Sequence, residues 1–262
     1  MSMSIGCVGC GNMGGAILAG LAASSLDCTL YGHTRTAARM APLEAAGVTR
    51  LDSARELARK ARYVVMAVKP YQIEALLAEM APEFGPDTVV ISVAAGISIA
   101  RLQAAVAGRC PVVRCMPNTP ALVGKGVFAL CFDDKVPAES KEDILRFFSQ
   151  LGVCLELPES RFTAFSALIG AGPAYVFGMM QGLVQAGVTL GLGRKDCRDM
   201  VAALFEGSAV MAARSDTPLM ELRDQVCSPG GLTIAGVNVL DRAGLSGLLV
   251  DAVLAADERG RE

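Results

Sequence analysis

The sequence has almost no histidine, the side chain that exchanges protons near neutral pH and is a common metal ligand. Its only histidine among 262 residues is His33. Nine cysteines are present, and Cys7 and Cys10 form a C-x-x-C pair, but no second such pair occurs. Because a structural zinc site needs about four ligands of this kind, we expect no metal. We interpret the pair as coincidental rather than as a redox pair or half of a zinc site.

Signals for secretion and for nucleic-acid binding are missing as well. The first residues, MSMSIGCVGCG, contain no basic segment ahead of an apolar one, so we expect no signal peptide and a cytoplasmic location. The 24 lysines and arginines are scattered, and the formal net charge is -2. This pattern does not indicate a nucleic-acid partner. The odd number of cysteines is typical of reduced thiols.

One long segment lacks charge altogether. No charged residue lies between Thr163 and Gly193, yet the segment contains Gln181, Gln185 and several glycines. It also lacks the continuous apolar run of about 18 residues that a membrane helix needs. We therefore expect helices that are buried in protein and not in a membrane. Because 52% of all residues are hydrophobic, we expect these helices to form an interface between subunits of a homo-oligomer.

Short apolar segments alternate with amphipathic ones in the first part of the chain. This alternation predicts an α/β fold with a parallel sheet covered by helices on both faces. After about Leu157 only helical patterns remain, so we predict an α/β domain over 1–157 and an all-helical domain over 158–262. The predicted strands are Ser4–Gly9, Cys28–Gly32, Val48–Leu51, Tyr63–Val68, Thr88–Val93, Pro111–Cys115, Gly126–Phe132 and Val153–Leu157.

Helices are predicted on both sides of this boundary. A helix over Glu139–Leu151 joins the last two strands, and Gly152 suits its C-cap. Thr217 suits the N-cap position of a later helix, and Pro218 its first turn. The predicted helices of the second domain are Pro173–Leu192, Lys195–Ala213, Pro218–Val226, Leu232–Ala243 and Ser246–Glu258.

A glycine-rich turn follows the first predicted strand. Gly9, Gly11 and Gly14 have the spacing G-x-G-x-x-G and open a helix, which is the context in which this motif binds a dinucleotide. Gly9 permits the tight turn, Gly11 lets the backbone approach the pyrophosphate, and Gly14 lets helix and strand pack closely. Free N–H groups at the helix start then face the phosphates. This predicts a Rossmann fold with cofactor contacts from Gly9, Cys10, Gly11, Asn12, Met13 and Gly14.

An acidic residue is missing where an NAD site usually has one, about 20 residues after the glycine turn. The second predicted strand runs into LYGHTRTAAR, which presents His33, Thr34 and Arg35. An arginine can bind the 2′-phosphate that an acid would repel. We therefore predict NADP(H), with NAD(H) as the weaker alternative, and contacts from Thr34 and Arg35. Arg35 as a solvated residue at a helix start is the alternative, and His33 either stacks on adenine or is simply exposed.

Three later strands end in small or turn-forming residues. The fourth strand ends in AVKP, the fifth ends in SVAAG, and the sixth runs into RCMPNTP. The carboxyl ends of parallel strands meet at one edge, where ligands bind in open α/β sheets. For Asn118, ordinary turn chemistry is the alternative to a role beside the nicotinamide. The predicted cofactor contacts at this edge are Ala67, Val68, Lys69, Pro70, Ala94 and Asn118.

Five segments of the chain together resemble the pyrroline-5-carboxylate reductase family. They are GCGNMG, AVKP, RCMPNTPALVGKG, GAGPAYVF and LRDQVCSPGGLTIAGVNVLD, and they span Gly9 to Asp241 in the family's order. The resemblance implies reduction of (S)-1-pyrroline-5-carboxylate to L-proline with NAD(P)H, the last step of proline biosynthesis. It also implies a Rossmann domain and a helical domain like that of the 6-phosphogluconate dehydrogenase superfamily. That helical domain forms an intertwined dimer and, in many members, rings of dimers.

The scarcity of acids and bases agrees with this chemistry. The β-hydroxyacid dehydrogenases, which share the two-domain plan, need a general base and have a catalytic lysine early in the helical domain. This chain has no lysine between Lys141 and Lys195, which is awkward for alcohol oxidation. An imine nitrogen can arrive protonated, so positioning the ring does much of the work. A hydroxyl such as that of Thr233 then suffices to bind the ring nitrogen, and we predict Thr233 as the catalytic residue.

The substrate also carries a carboxylate, and the segment CSPGGLT offers a place for it. Gly230 and Gly231 stand before a predicted helix and supply unencumbered N–H groups, and Ser228 adds a hydroxyl. The predicted substrate contacts are Ser228, Gly230, Gly231 and Thr233. An ordinary turn between helices is the alternative.

Other functions stay open at this point. They are the reduction of another cyclic imine, the oxidation of a β-hydroxyacid, and a non-catalytic NADP-binding sensor on the same fold. The sequence also leaves open whether the CSPGGLT loop serves the cofactor of its own subunit or that of a partner.

Overall fold

The computed structural model describes residues 3–261. The chain forms two compact units, Met1–Gly170 and Ala171–Glu262. The division predicted after Leu157 falls inside the first unit. The reason is that Phe162 and Phe165, which follow the last strand, are buried in a small core with Ala129 of the sheet.

An eight-stranded sheet forms the centre of the first unit, in the order β3-β2-β1-β4-β5-β6-β7-β8. All neighbouring strands are parallel except β6 and β7, which are antiparallel. The strands are β1 (Met3–Val8), β2 (Cys28–His33), β3 (Thr49–Arg50), β4 (Tyr63–Met66), β5 (Val89–Ser92), β6 (Val112–Met116), β7 (Gly126–Phe132) and β8 (Gly152–Glu156).

The antiparallel pair corrects the expectation of a wholly parallel sheet. Only a short 3-10 turn, Thr119–Val123, separates β6 from β7. Parallel neighbours require a crossover of a dozen or more residues, so this connection is too short for one.

Helices cover the sheet on both faces, as the continuous apolar strands predict. One face packs against Ile17 and Phe147, and the other packs against Leu57 and Leu77. The helices of the first unit are α1 (Asn12–Ala22), α2 (Ala41–Ala45), α3 (Ala54–Lys60), α4 (Pro70–Met80), α5 (Ile99–Ala105), α6 (Ala138–Ser149) and α7 (Phe162–Phe165).

Gly152 is not the C-cap of α6. Gln150 caps that helix, and Gly152 begins β8 with a φ of 149°. A Cβ at Gly152 would overlap the backbone of Gly126 on the neighbouring strand. The glycine is therefore needed for the close approach of β7 and β8 and not for ending the helix.

In the described part of the second unit, every regular element is a helix. Its helices are α8 (Gly172–Thr189), α9 (Arg194–Ala213), α10 (Leu219–Gln225), α11 (Leu232–Arg242) and α12 (Leu245–Arg261). The five predicted helices are confirmed with shifts of a few residues at their ends. One detail differs, because Pro218 occupies the N-cap position of α10 and Thr217 precedes it.

Few apolar side chains of the second unit are buried. Among its described residues, the buried hydrophobic side chains are Val184, Cys197 and Val201. Large apolar side chains such as Phe177, with 65% of its surface exposed, and Leu204, with 55%, face outward. Within residues 3–261, one helical segment, Glu159–Thr189, is long and apolar enough by length and composition to cross a membrane, and little of its most apolar part is buried.

Candidate functional site

The glycine turn between β1 and α1 is held against the end of β2. Gly9 has a φ of 97°, a left-handed conformation that favours glycine. Its N–H donates to the carbonyl of His33 at 2.8 Å, and the N–H of Gly11 donates back to the carbonyl of Gly9 at 2.7 Å. The turn is thereby fixed at the carboxyl edge of the sheet.

The other two motif glycines have different surroundings. A Cβ at Gly14 would lie 2.8 Å from the Sγ of Cys7 and 2.9 Å from the Cβ of Ala67. Gly14 therefore allows α1 to pack on β1 and β4. A Cβ at Gly11 would meet only the Nη1 of Arg39, at 3.7 Å. Open space in front of Gly11 is what the pyrophosphate of a dinucleotide requires.

A cleft of about 1100 Å³ opens along this edge of the sheet. It is lined by the glycine turn, by the segment after β2, by the start of α3 and by the loops after β4 and β5. Most of the predicted cofactor contacts line it, namely Gly9, Gly11, Asn12, Met13, Thr34, Arg35, Ala67, Val68, Lys69, Pro70 and Ala94.

Three predicted cofactor contacts do not line this cleft. Cys10 is buried, and its Sγ approaches the carbonyls of Cys7 and His33 at 3.7 and 3.6 Å. Gly14 is covered by the packing of α1 on the sheet. The Oδ1 of Asn118 accepts from the N–H of Val127 at 2.9 Å, and its Nδ2 donates to the carbonyl of Ile169 at 3.3 Å. The amide of Asn118 therefore has structural partners, which agrees with the turn alternative.

The structure adds cleft residues that sequence reasoning missed. Arg39 lies beside the glycine turn, and its Nη1 donates to the Oδ1 of Asn12 at 3.3 Å. Asp52 and Ser53 enter from the connection between β3 and α3, and Tyr71 from the start of α4. For Arg39, the only indication in the sequence was its spacing of four residues from Arg35. Asp52 gave none, because its position depends on β3 pairing with β2.

The charge of the cleft is mixed. Arg35, Arg39 and Lys69 contribute cations, whereas Asp52 and Glu79 contribute carboxylates. The prediction that no acid follows β2 holds for the strand itself. Asp52 nevertheless lines the same cleft from the segment that follows β3. The part of the cleft near the end of β2 therefore also contains a negative charge.

The cysteines are all free thiols. The hydrogen bond with Cys10 and the burial of its own side chain raise the pKa of Cys7 well above its usual range. Burial likewise raises the pKa of Cys110 to about 12. In the part of the chain that the structure describes, no group of three or more His, Cys, Asp or Glu side chains could hold a metal ion.

The CSPGGLT loop lies in the second unit, between α10 and α11. Gly230 has a φ of 67°, and the N–H of Gly231 donates to the carbonyl of Ser228 at 3.0 Å. Gly231 is the N-cap of α11, and no side chain caps this helix start among the described residues. The first N–H groups of α11 therefore lack intrahelical partners. The side chain of Thr233 stands exposed in the first turn.

An arginine joins the two helices that flank this loop. The Nη1 of Arg223 in α10 donates to both carboxylate oxygens of Asp241 in α11, at 3.4 and 3.3 Å. Hydrogen bonding to Asp224 and the nearby charge of Asp241 raise the pKa of Arg223. The pairing of Arg223 with Asp241 depends on the angle between the two helices.

Comparisons with known proteins bear on what this arrangement does. Residues 159–262 match the family model described as pyrroline-5-carboxylate reductase dimerisation, and residues 4–96 match the model for coenzyme F420-dependent NADP oxidoreductases. A pyrroline-5-carboxylate reductase of Corynebacterium melassecola is 35% identical, over 99% of this chain and 98% of its own length. The chain belongs to the pyrroline-5-carboxylate reductase family. The family resemblance inferred from the sequence is thereby confirmed.

Solved structures agree with this membership of the pyrroline-5-carboxylate reductase family. The reductase of Coxiella burnetii superposes with a TM-score of 0.92 at 29% identity, covering 100% of this chain and 98% of that one. The Plasmodium falciparum pyrroline carboxylate reductase, crystallised with NADP bound, gives a TM-score of 0.85 at 31% identity, covering 98% and 97%. The predicted fold, a Rossmann domain followed by a helical domain, is confirmed.

Proposed function

We propose that this chain reduces (S)-1-pyrroline-5-carboxylate to L-proline by hydride transfer from NADPH, the last step of proline biosynthesis. The observation that carries the proposal is the uncapped, glycine-bounded start of α11 with Thr233 in its first turn. It occurs in a chain that also has a dinucleotide cleft and belongs to the reductase family. A small acid with a basic ring nitrogen suits both the free amides and the hydroxyl.

The cleft fits a nicotinamide dinucleotide. The open space before Gly11 and the tight packing at Gly14 are the two features that this motif needs. The Plasmodium relative was solved with NADP bound. We assign Gly9, Gly11, Asn12 and Met13 to the pyrophosphate region, together with the backbone of Cys10.

NADPH rather than NADH is the proposed cofactor because of the residues that follow β2. Arg35 and Thr34 line the cleft there, and a guanidinium binds a 2′-phosphate through charge-assisted hydrogen bonds. Asp52 opposes this preference by charge, since a carboxylate favours the unphosphorylated ribose. We propose that Arg35 outweighs it, with NADH accepted as the weaker alternative.

The substrate is held by the residues that begin α11. The free amides of this helix start, together with the Ser228 hydroxyl, bind the substrate carboxylate, because helix N-termini favour anions. The Thr233 hydroxyl accepts a hydrogen bond from the protonated ring nitrogen. When bound, the nicotinamide supplies the hydride that the imine carbon accepts.

No general base is needed for this reaction, because the substrate brings its own proton. That distinguishes it from hydroxyacid oxidation, which requires a group to remove the hydroxyl proton. The segment Leu168–Met180, at the start of the helical part, contains Tyr175 as its one ionisable side chain. Orientation against the cofactor is then the main contribution of the protein.

We propose that the helical unit pairs with a second copy of this chain, and that the enzyme works in the cytoplasm as a homodimer or a ring of dimers. The match to a dimerisation model covers the whole of this unit. Its exposed apolar side chains, including those within the apolar segment Glu159–Thr189, would be covered by the partner.

A direct assay tests the proposed activity. The purified chain is mixed with NADPH and either pyrroline-5-carboxylate or another cyclic imine. In a separate assay it is mixed with NADP⁺ and a panel of β-hydroxyacids. We expect oxidation of NADPH with pyrroline-5-carboxylate and formation of proline, detected by mass spectrometry. Turnover of only another imine or a hydroxyacid would replace the proposed substrate, and NADPH binding without any turnover would favour a sensor.

A further inference from the structure

A carboxylate outside the cleft is bound to the end of a loop that lines it. The Oε1 of Glu159 accepts the N–H of Ile99 at 2.8 Å and the Nη1 of Arg114 at 2.9 Å. Ile99 is the first residue of α5, and this N–H is one of those that a helix start leaves without an intrahelical partner. Glu159 follows β8, so the contact joins segments 60 residues apart in the chain.

Glu159 is itself held in place. Arg114 of β6 has only 14% of its side chain exposed, and its guanidinium carbon lies 4.5 Å from the ring centroid of Phe162. Phe162 is buried in the small core that follows β8. A mostly buried guanidinium needs a paired anion, since an unpaired buried charge is costly. The arginine and the ring together therefore restrict where the Glu159 carboxylate can be.

The loop in question runs from β5 to α5. Its first residues are fixed by backbone contacts, because the N–H of Val93 donates to the carbonyl of Met66 at 3.1 Å and that of Ala94 to the Oγ of Ser92 at 3.3 Å. Val93, Ala94 and Ala95 then line the cleft. Beyond them Gly96 has a φ of 75°, and the chain reaches Ile99 and Glu159.

We propose that Glu159 is a positioning residue for the nicotinamide end of the cofactor. In a doubly wound sheet each half binds one mononucleotide. The β2 side holds the adenosine half, so the loops after β4 and β5 face the nicotinamide half. By holding the α5 end of the 93–98 loop, Glu159 keeps Ala94 and Ala95 at a fixed distance from the ring. This inference rests on the proposed use of a nicotinamide cofactor.

Five variants separate this role from general stability. Glu159→Ala removes the acceptor, whereas Glu159→Gln keeps an oxygen that can accept from Ile99. Glu74→Ala is the matched control, because Glu74 pairs with Arg101 of the same α5 at 2.7 Å without contacting the loop. Ile99→Pro removes only the N–H and the side chain at a helix position that tolerates proline, and Ile99→Val serves as its control.

Two measurements are made on each full-length variant. The first is a titration of NADPH followed by the fluorescence of its nicotinamide, and the second is the single-turnover rate of hydride transfer to pyrroline-5-carboxylate. For Glu159→Ala and Ile99→Pro we expect a Kd within about twofold of the parent, weaker emission from the bound ring, and hydride transfer slower by about tenfold. Glu74→Ala and Ile99→Val should behave like the parent chain in both measurements. Glu159→Gln should retain most of the emission and of the transfer rate, because it keeps the acceptor for Ile99 although it loses the charge that pairs with Arg114.

The possible results separate a positioning role of Glu159 from a purely structural one. Unchanged emission and transfer rate in Glu159→Ala would overturn the positioning role, as would equal losses in Glu159→Ala and Glu74→Ala. If the parent chain binds NADPH but reduces no pyrroline-5-carboxylate, the proposed reaction fails. The fluorescence comparison then still decides the role of Glu159.

Discussion

At the scale of single residues, the cleft separates side chains that look alike in the sequence. Arg35 and Arg39 both line it, but Arg39 lies beside Asn12 and Gly11, whereas Arg35 belongs to the segment directly after β2. The pyrophosphate is common to NADPH and NADH, and the 2′-phosphate is not. Loss of Arg35 should therefore weaken the binding of NADPH alone, whereas loss of Arg39 should weaken the binding of both cofactors.

Replacing Arg35 by alanine should affect the two cofactors unequally. A charge-assisted hydrogen bond is worth about 1.5–3 kcal/mol, so we expect the KM for NADPH to rise by about tenfold or more and that for NADH to change by less than about twofold. Steady-state kinetics with each cofactor measure this. Arg39→Ala is the control, and it should raise the KM values for both cofactors to a similar extent. Equal effects of Arg35→Ala on the two cofactors would remove Arg35 from 2′-phosphate binding.

Replacing Thr233 by alanine should slow the reaction while leaving the cofactor bound. The variant loses the proposed hydrogen bond to the charged ring nitrogen, so kcat/KM for pyrroline-5-carboxylate should fall by about 10- to 100-fold. The Kd for NADPH should be unchanged in a fluorescence titration. Thr233→Ser keeps the hydroxyl and should recover most of the rate. An undiminished rate in the alanine variant would exclude Thr233 from the mechanism.

At the scale of elements, the turn from β1 to α1 decides whether the cleft exists. Gly14 and Gly15 are adjacent glycines in α1. A Cβ at Gly14 would lie 2.8 Å from the Sγ of Cys7, whereas one at Gly15 would meet only the carbonyl of Cys10, at an ordinary 3.8 Å. Alanine should therefore have opposite effects at the two positions.

Gly14→Ala should destabilise the protein and weaken NADPH binding, because α1 must move away from β1 and β4 to admit the methyl group. Overpacking of this kind costs about 1–3 kcal/mol. Gly15→Ala should be neutral or stabilising by up to about 1 kcal/mol, since alanine is the better helix former. Urea unfolding of both variants measures the difference in the free energy of unfolding. A Gly14→Ala variant as stable as the parent would contradict the packing described for this turn.

At the scale of the whole molecule, the two units differ in how they bury apolar side chains. The first unit has extensive cores on both faces of its sheet. Among its described residues, the second has one small buried cluster around Val184, Cys197 and Val201, and many of its large apolar side chains are exposed. The proposed partner subunit would bury these exposed side chains, as partners do in obligate homodimers.

Leu204 on α9 tests this expectation. Its side chain is 55% exposed, so Leu204→Glu should leave the unit's own core intact while placing a charge in the proposed interface. A symmetric dimer contains the change twice. Burial of a leucine is worth about 1.5–3 kcal/mol, so we expect dissociation at micromolar concentration or below, measured by size exclusion with light scattering. Leu204→Met should stay dimeric, and an unaltered assembly in Leu204→Glu would place the interface elsewhere.

The sequence by itself determined the two-part fold, the glycine turn and the reductase family. Those features depend on local periodicity, on glycines and on continuous motifs, which the chain order preserves. Only the tertiary structure decided that β7 runs antiparallel to β6, and that Asn118 uses its amide to join Val127 and Ile169. It also brought Arg39 and Asp52 into the cleft and Glu159 to the start of α5. These contacts join segments far apart in the chain, and no local pattern specifies them because they depend on how the strands pair.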